Sequence, residues 1–183
     1  DVEKMAIPMY KRVMHAVDGS LTDQQYGQDG EAIYSVSRGG LNQLLMNLAG
    51  EQENVNMHFN YKCVDVDLKS ASATFEYNDG NQKNVDADMI IGADGAYSVI
   101  RSKMIKQDRF QYSQHYIEHG YKELTIPANS DGTHKLEVNA LHIWPRGSYM
   151  LIALPNMDGS FTCTLFFPYE GEYSFNSLQT EQQ

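Results

Sequence analysis

A short stretch near the middle of the sequence has the residue types of an anion-binding turn. The apolar run Met89-Ile-Ile91 leads into Gly92-Ala-Asp-Gly95, and Ser98 then precedes a helix-like segment that carries Arg101. Glycines let a ligand approach the backbone closely, and a helix that begins after Ser98 would present free N–H groups to an anion. The same residues would equally form a tight strand-to-helix turn with an ordinary cap, and their chemistry alone leaves both interpretations open.

Six histidines raise the question of a metal centre. His115 and His119 are four residues apart, and His134 and His142 follow downstream. Zinc needs ligands that converge in tetrahedral geometry, and no cysteine or carboxylate stands at a recognised spacing from these histidines. We therefore predict no metal site and interpret the histidines as surface or core residues.

Motifs of covalent catalysis and of complete nucleotide sites are missing from the sequence. It contains no G-x-S-x-G, no Walker A loop and no G-x-G-x-x-G. The two cysteines, Cys63 and Cys163, are far apart and form neither a CxxC nor a metal-ligand spacing, as expected in a reducing compartment. We therefore predict no catalytic side chain.

Composition restricts the partners of the chain. Its 183 residues include 14 Lys+Arg and 24 Asp+Glu, a formal net charge of −10. An acidic protein repels phosphate backbones, so nucleic-acid partners and anionic membranes are disfavoured. Hydrophobic residues make up 42% of the chain and aromatic residues 11%, which is enough apolar surface for a folded core. No run approaches the ~20 apolar residues of a membrane span, and we predict no membrane contact from this segment.

Periodicity predicts the elements that must position these residues. Leu41, Leu44, Leu45 and Leu48 form one apolar stripe that follows Ser37, a good N-cap, and predicts a helix over 37–50. A second helix is predicted over 98–105. Segments 5–20 and 26–31 are interpreted only as an apolar opening and a polar connection. Alternating or continuous apolar runs predict strands at 55–59, 64–68, 73–77, 85–89, 89–91, 119–126, 140–144, 149–154 and 161–167, with hairpin turns at 78–80 and 158–159.

The predicted fold class is therefore α+β, with a large antiparallel sheet. At ~150 residues per domain, the length favours one domain. Beyond this point the residues alone do not indicate a function.

The stretch with Asp94, Gly95, Ser98 and Arg101 resembles the DG motif of the flavin-dependent aromatic hydroxylases, the para-hydroxybenzoate hydroxylase-like family. Further blocks narrow the resemblance to the kynurenine 3-monooxygenase family, and they span nearly the whole chain in that family's order. These blocks are 8–15, 26–27, 35–38, 41–42, 55–60, 109–110, 112–114, 116–117, 119–121, 123–127, 141–146, 152–157 and 160–166.

The resemblance implies an FAD-dependent, NADPH-using monooxygenase that uses molecular oxygen to hydroxylate L-kynurenine to 3-hydroxykynurenine in tryptophan degradation. Its chemistry would be carried by the flavin, in agreement with the absence of a catalytic side chain. The alternatives are a hydroxylase of another aromatic acid on the same fold, or a non-catalytic β-rich ligand-binding domain.

Residue by residue, the resemblance implies that Arg12 binds the substrate carboxylate, that Tyr26 adds a phenolic hydrogen bond, and that Arg38 reaches the flavin. Asp94, Gly95, Ser98 and Arg101 would bind the cofactor near its pyrophosphate. Five apolar residues match positions around the substrate ring, although ordinary core packing explains them equally well. These five are Leu141, Ile143, Ile152, Leu154 and Phe166.

The resemblance also implies that the chain is an interior piece of an enzyme that is α/β as a whole. Residues 1–106 would be part of the FAD-binding domain, and 107–183 a β-sheet substrate-binding domain. The G-x-G-x-x-G unit would precede Asp1, and the family's GD motif would follow Gln183. We expect this chain alone to bind FAD weakly or not at all and to be inactive. The location would be the cytoplasm in a bacterium, or the mitochondrial outer membrane in a eukaryote, held by an anchor outside this chain.

Overall fold

The computed structural model describes residues 2–178 and 180. They form two compact units: a larger unit of residues 2–51, 116–178 and 180, and a smaller unit of residues 52–115. The division into FAD-binding and substrate-binding parts after residue 106 concerns function and stays a prediction. The compact units group the first 51 residues with the second half of the chain.

Strands dominate the described residues, and the two α-helices are α1 (Arg38–Gly50) and α2 (Val99–Met104). Short 3₁₀ turns lie at Val2–Met5 and Phe175–Ser177. The strands are β1 (Ala6–Met9), β2 (Lys11–His15), β3 (Leu21–Gln25), β4 (Ile33–Val36), β5 (Lys62–Asp67), β6 (Ser72–Glu76), β7 (Gln82–Asp86), β8 (His119–Ile126), β9 (Ala140–Arg146), β10 (Tyr149–Pro155) and β11 (Phe161–Pro168).

The larger unit is built on a six-stranded sheet, which we call the main sheet, with strand order β3-β2-β9-β10-β11-β8. Neighbouring strands are antiparallel, except that β2 and β9 are parallel. Strands β1 and β4 form a separate antiparallel pair. The α+β class with a large, mainly antiparallel sheet is thus confirmed.

Two predictions made from local sequence in the larger unit are confirmed: the helix cap at Ser37 and the hairpin turn at 158–159. The Ser37 hydroxyl accepts a hydrogen bond from the Gly40 amide at 3.2 Å and caps α1. Such caps stabilise a helix because they satisfy an N–H group that has no partner within the helix. The hairpin at Asp158-Gly159 joins β10 and β11, and Gly159 adopts the positive φ of +84° that a tight turn requires.

Four strands were missed, and two predicted strands were wrong. β1 to β4 lie in segments that carry no clean alternation, and every residue of β3 is exposed. Residues 55–59 and 89–91 form no strand. Met89 and Ile91 are 75% and 82% exposed, so the buried strand predicted there is wrong. An apolar run becomes a strand only when a neighbour completes its hydrogen-bond ladder, and no strand in residues 2–178 pairs with either segment.

The core of the larger unit lies against one face of the main sheet, which we call the core face. Ala153, Phe161 and Cys163 are almost fully buried there. Burial raises the pKa of the Cys163 thiol, so this cysteine is a packing residue rather than a reactive thiolate. Ile126, Leu136, Trp144 and Leu151 complete the cluster.

The smaller unit contains an antiparallel sheet with order β5-β6-β7 and the helix α2. A register shift between Cys63 and Asp65 interrupts the β5–β6 ladder. The Lys103 ammonium of α2 contacts the Asp65 carboxylate of β5 at 2.7 Å and connects the helix to the sheet. Neither α1 nor α2, nor any other helix in the described part of the chain, has the length and apolarity needed to cross a membrane.

Candidate functional site

The second face of the main sheet, which we call the open face, carries six of the seven residues predicted to bind substrate. Directly paired residues of a ladder point to the same side of a sheet, and side chains alternate along each strand. The pairs Arg12–Leu141 and Ile143–Ile152 therefore place four of the six on one side, away from the core residue Ala153. The six residues are Arg12, Leu141, Ile143, Ile152, Leu154 and Phe166.

Two methionines extend this apolar surface and were missed at the sequence level. Met14 pairs with Ile143, and Met150 pairs with Phe166, so both lie on the open face. Met150 lies two residues before Ile152 on β10, and this spacing, which places both on one face of a strand, could have identified it. Met14 carried no such signal because β2 itself was not predicted. The result is an apolar surface across β2, β9, β10 and β11, half-buried except at the buried Ile143, and of a kind that accepts an aromatic ring.

Arg12 lies at the β2 end of this surface and stacks on Tyr26. Its guanidinium carbon is 4.9 Å from the centre of the Tyr26 ring, within the range of a cation–π contact. The loop that carries Tyr26 is held by a 3.0 Å hydrogen bond from the Tyr26 amide to the Tyr10 carbonyl oxygen. Within residues 2–178, the Arg12 side chain has no hydrogen bond and no ion pair, so its N–H donors are available for a carboxylate.

The neighbouring cation on β2, Lys11, is already neutralised. Its ammonium lies 2.6 Å from an Asp23 oxygen and 3.0 Å from a Glu137 oxygen. The hydrogen bond to Asp23, followed by that to Glu137, raises the pKa of Lys11 above its ordinary value. These contacts hold β2 between β3 and the segment that leads into β9. Of the two β2 cations, Arg12 is therefore the one available to a ligand.

Arg38 lies at a second feature of the larger unit, a polar cavity of about 410 Å³. We call it the Arg38 cavity. It adjoins the apolar part of the open face through Leu154, which belongs to both. Its lining includes Ser37, Arg38, Glu123, Leu154, Thr162 and Thr164.

The four residues of the DG-like motif form one hydrogen-bonded network in the smaller unit. The Asp94 carboxylate accepts hydrogen bonds from the Ser98 hydroxyl at 2.6 Å and from the Val99 amide at 2.7 Å. The Ser98 oxygen in turn accepts from the Arg101 amide at 2.9 Å. The hydrogen bond from the Ser98 hydroxyl, followed by those from backbone amides that include Val99, lowers the pKa of Asp94 and keeps this carboxylate ionised at the start of α2.

The remaining two members of the network shape the turn. Gly95 has a φ of +74°, a backbone conformation that residues with a Cβ rarely adopt. The Arg101 guanidinium donates to the Gly95 carbonyl oxygen at 3.2 Å and also to the Ala96 carbonyl oxygen. The motif is thus a self-supporting turn that leads into α2, beside which lies a cavity of about 350 Å³. Its contact with a cofactor stays a prediction.

Among residues 2–178 and 180, no group of three or more His, Cys, Asp or Glu residues is arranged to hold a metal ion. Three of the histidines are bound to main-chain oxygens instead: His119 to Ser148, His134 to Asn156 and His142 to Glu137.

Comparison with known proteins identifies the family. A family model described as an FAD binding domain matches residues 8–160, which is most of the chain. The chain belongs to this FAD-binding domain family. The chain is also similar to two curated relatives. It is 55% identical over 178 residues to kynurenine 3-monooxygenase of Flavobacterium johnsoniae, and 51% identical over 184 residues to kynurenine 3-monooxygenase of Christiangramia forsetii.

The alignment to the Flavobacterium protein covers 97% of this chain but only 40% of that relative. The alignment to the Christiangramia protein covers 100% of this chain but only 41% of that relative. The chain thus spans about two fifths of their length. Among solved structures, the match to a salicylate hydroxylase substrate complex covers 91% of this chain and 43% of the salicylate hydroxylase chain, with a TM-score of 0.64. At 15% identity, this match shows a shared fold.

The residues of this FAD-binding domain chain suit parts of an FAD molecule. The Arg38 cavity offers a guanidinium for carbonyl or phosphate oxygens and threonine hydroxyls for hydroxyl or imide groups. The cavity beside the DG-like turn borders Gly95, where the space around the Cα is open and a ligand can approach the backbone closely. Both features fit the cofactor for which the family is named.

Proposed function

We propose that this chain supplies the substrate-binding surface and part of the cofactor site of an FAD-dependent monooxygenase that converts L-kynurenine to 3-hydroxykynurenine. The observation that carries the proposal is the position of the Arg12 guanidinium, which has no hydrogen bond or ion pair to residues 2–178 and stacks on Tyr26 at one end of an apolar sheet face. Kynurenine has the complementary chemistry, because it joins an aromatic ring to an amino-acid carboxylate. The relatives that carry the name kynurenine 3-monooxygenase support the same substrate.

Each residue has a role that follows from its chemistry. Arg12 would bind the carboxylate with charge-assisted hydrogen bonds, and Tyr26 would donate its phenolic hydrogen to the same group. An acidic protein needs such a placed cation, because its net charge of −10 repels an anionic group at long range. The apolar open face would hold the ring and exclude water from it.

The overall reaction balances without a catalytic side chain. One atom of molecular oxygen enters the ring, where a C–H becomes a C–O–H, and the other leaves as water. Two electrons come from NADPH, which we propose as the reductant. FAD, when bound, supplies the redox chemistry between NADPH and oxygen, while the protein supplies binding, orientation and a dry surface. The cytoplasmic or mitochondrial location remains a prediction.

The test is made on the protein expressed from its complete reading frame and loaded with FAD. Arg12→Ala should raise the KM for kynurenine roughly 10- to 150-fold, the equivalent of one charge-assisted hydrogen bond or pair. NADPH oxidation and the hydroxylated product are both measured. Lys122→Ala is the control. It removes an exposed cation from the face of β8 that points away from the open face, and it should leave KM unchanged.

A second substrate sharpens the test. The decarboxylated analogue of kynurenine lacks the group that Arg12 would bind, so the wild type should prefer kynurenine and Arg12→Ala should discriminate little between the two. An unchanged kynurenine KM in a folded, FAD-loaded Arg12→Ala protein would overturn the carboxylate assignment. A panel of other aromatic acids separates the alternative hydroxylases, and failure to bind FAD would favour the non-catalytic domain.

A further inference from the structure

The Arg38 cavity contains two opposite charges that do not pair with each other. Arg38 reaches it from the start of α1, and Glu123 reaches it from β8. Within residues 2–178, neither side chain has a hydrogen bond or an ion pair. Glu123 lies in one of the blocks that carry the family resemblance, but no role in binding substrate or cofactor was inferred for it there, and the function proposed above gives it none.

The surroundings of Glu123 are those of a polar recognition site. Its ladder partner on β11 is Thr164, whose side chain also lines the cavity. Within the lining, the Asn156 amide nitrogen donates to the Thr162 hydroxyl at 3.0 Å, so these two groups already have each other as partners. The charged groups left for a ligand are the guanidinium of Arg38 and the carboxylate of Glu123, and the hydroxyl of Thr164 lies next to Glu123.

This set selects a definite chemistry. A guanidinium donates hydrogen bonds and needs an acceptor, whereas an ionised carboxylate only accepts and needs a donor. A ligand that satisfies both must therefore present carbonyl or phosphate oxygens on one side and N–H or O–H groups on the other. FAD has both, in the imide edge of its ring and in its hydroxylated chain, whereas the ring of kynurenine suits the apolar half of the open face.

We infer that Glu123 binds the flavin directly, with Thr164 beside it, by accepting a hydrogen bond from an N–H or O–H group of FAD. This inference rests on the proposed FAD-dependent function. A carboxylate next to a flavin also opposes the addition of electrons, because a nearby negative charge disfavours a more negative ring. Glu123 therefore lowers the reduction potential of the bound flavin as well as holding it.

The experiment titrates FAD into apoprotein made from the complete reading frame and follows quenching of flavin fluorescence. Glu123→Ala should raise the Kd for FAD roughly tenfold or more, since it removes a charge-assisted hydrogen bond. Glu123→Gln keeps an acceptor but removes the charge. It should therefore raise Kd less, while shifting the flavin potential, measured against a reference dye, to a more positive value.

Two control variants match the position. Thr125→Val lies on the same face of β8, two residues along, and Lys122→Ala lies next to Glu123 on the opposite face. Both should bind FAD as the wild type does. Wild-type Kd and potential in both Glu123 variants would overturn the inference, as would an equal change in the controls.

The remaining outcomes are also decisive. If Glu123→Ala raises the kynurenine KM while the Kd for FAD stays unchanged, Glu123 belongs to the substrate site and the inference is wrong. If the wild type binds no FAD, the proposed function fails together with the inference. Wild-type binding with silent Glu123 variants overturns the inference alone.

Discussion

The Nε2 atom of His15 lies 2.9 Å from the Nδ1 atom of His142, across strands β2 and β9 on the core face of the main sheet. The other nitrogen of His142, Nε2, is 2.8 Å from the Glu137 carbonyl oxygen, which can only accept. That contact assigns the hydrogen of His142 to Nε2, so in its neutral form Nδ1 accepts from the N–H of His15. The His15 ring also stacks on Trp144 with ring centres 4.1 Å apart.

This histidine pair predicts a pH dependence of stability. Burial, then the proximity of His142 and Arg146, lowers the pKa of His15 below its ordinary value of 6.5. The unfolded chain therefore binds a proton more readily than the folded one, and stability should be full above about pH 6.5 and fall as the pH drops below it. Urea unfolding followed by the fluorescence of Trp144, the single tryptophan, measures this slope.

His15→Phe is the matching variant, because it keeps a ring against Trp144 and removes the titrating group. Its unfolding free energy should decline less between about pH 7.5 and about pH 5.5 than that of the wild type. Equal slopes in the two proteins would show that His15 does not contribute to the pH dependence.

Under the proposed function, Tyr26 would contribute to carboxylate binding in two separable ways, through its hydroxyl and through its ring. Tyr26→Phe keeps the ring under the Arg12 guanidinium and removes the hydroxyl, so the kynurenine KM should rise roughly 3- to 10-fold. Tyr26→Leu also removes the cation–π contact, worth about 0.5–1 kcal/mol at an exposed site, and should raise KM further. Steady-state kinetics on the FAD-loaded protein check both values. A wild-type KM for Tyr26→Phe would mean that the hydroxyl does not reach the substrate.

Leu151 and Ile152 are adjacent on β10 but lie on opposite faces of the main sheet. Leu151 packs on the core, so Leu151→Ala should cost about 1–3 kcal/mol of unfolding free energy and leave the KM unchanged. Ile152 lies on the open face, so Ile152→Ala should mainly raise the kynurenine KM. Denaturant unfolding and kinetics on both variants check the assignment of the faces. A large stability loss in Ile152→Ala without a change in KM would contradict it.

Two glycines of the larger unit predict opposite responses to the same substitution. A Cβ at Gly39 or at Gly147 would meet no atom within 4 Å, but Gly147 has a φ of +70° in the turn between β9 and β10. Gly39→Ala should stabilise α1 by about 0.5 kcal/mol, because alanine is the better helix former. Gly147→Ala should destabilise by about 1–2 kcal/mol, because it forces an L-residue into the left-handed region. Relative to the wild-type apoprotein, the change in unfolding free energy should therefore have opposite signs in the two variants. Changes of the same sign would contradict the turn geometry.

Asp94 caps α2 with its carboxylate, so Asp94→Ala should increase hydrogen exchange at the α2 amides even without flavin. The reason is that the Val99 amide loses its acceptor. Asp88→Ala, which changes an exposed carboxylate of the same unit, is the control and should leave α2 protected. Unchanged exchange in Asp94→Ala would leave the motif without a structural role and favour a role confined to the cofactor.

Some elements were predictable because their signals are local. α1 follows from the cap at Ser37 and its leucine stripe, and α2 from the cap at Ser98. Strands β8 to β11 follow from short apolar runs and turn residues between them. In each case, the residues that decide the structure lie within a few positions of one another.

Strand β3 could not be predicted for the opposite reason. Its sequence, Leu21-Thr-Asp-Gln-Gln25, has no apolar face, and it is a strand because β2 pairs with it. Strand β2 in turn pairs in parallel with β9, more than a hundred residues away. The run Met89-Ile-Ile91 shows the converse, since an apolar run without a pairing strand among the described residues stays irregular.

The sequence by itself determined the acidic charge, the local helices and hairpins, and the family resemblance that singled out Arg12 and the apolar residues. Only the tertiary structure decided that Arg12 lies beside Leu141 on the open face, while Lys11 and the histidine pair lie behind it. The physical reason is strand register. Hydrogen bonds between distant strands set the register, and a slip of one residue would turn every side chain of β2 to the other face.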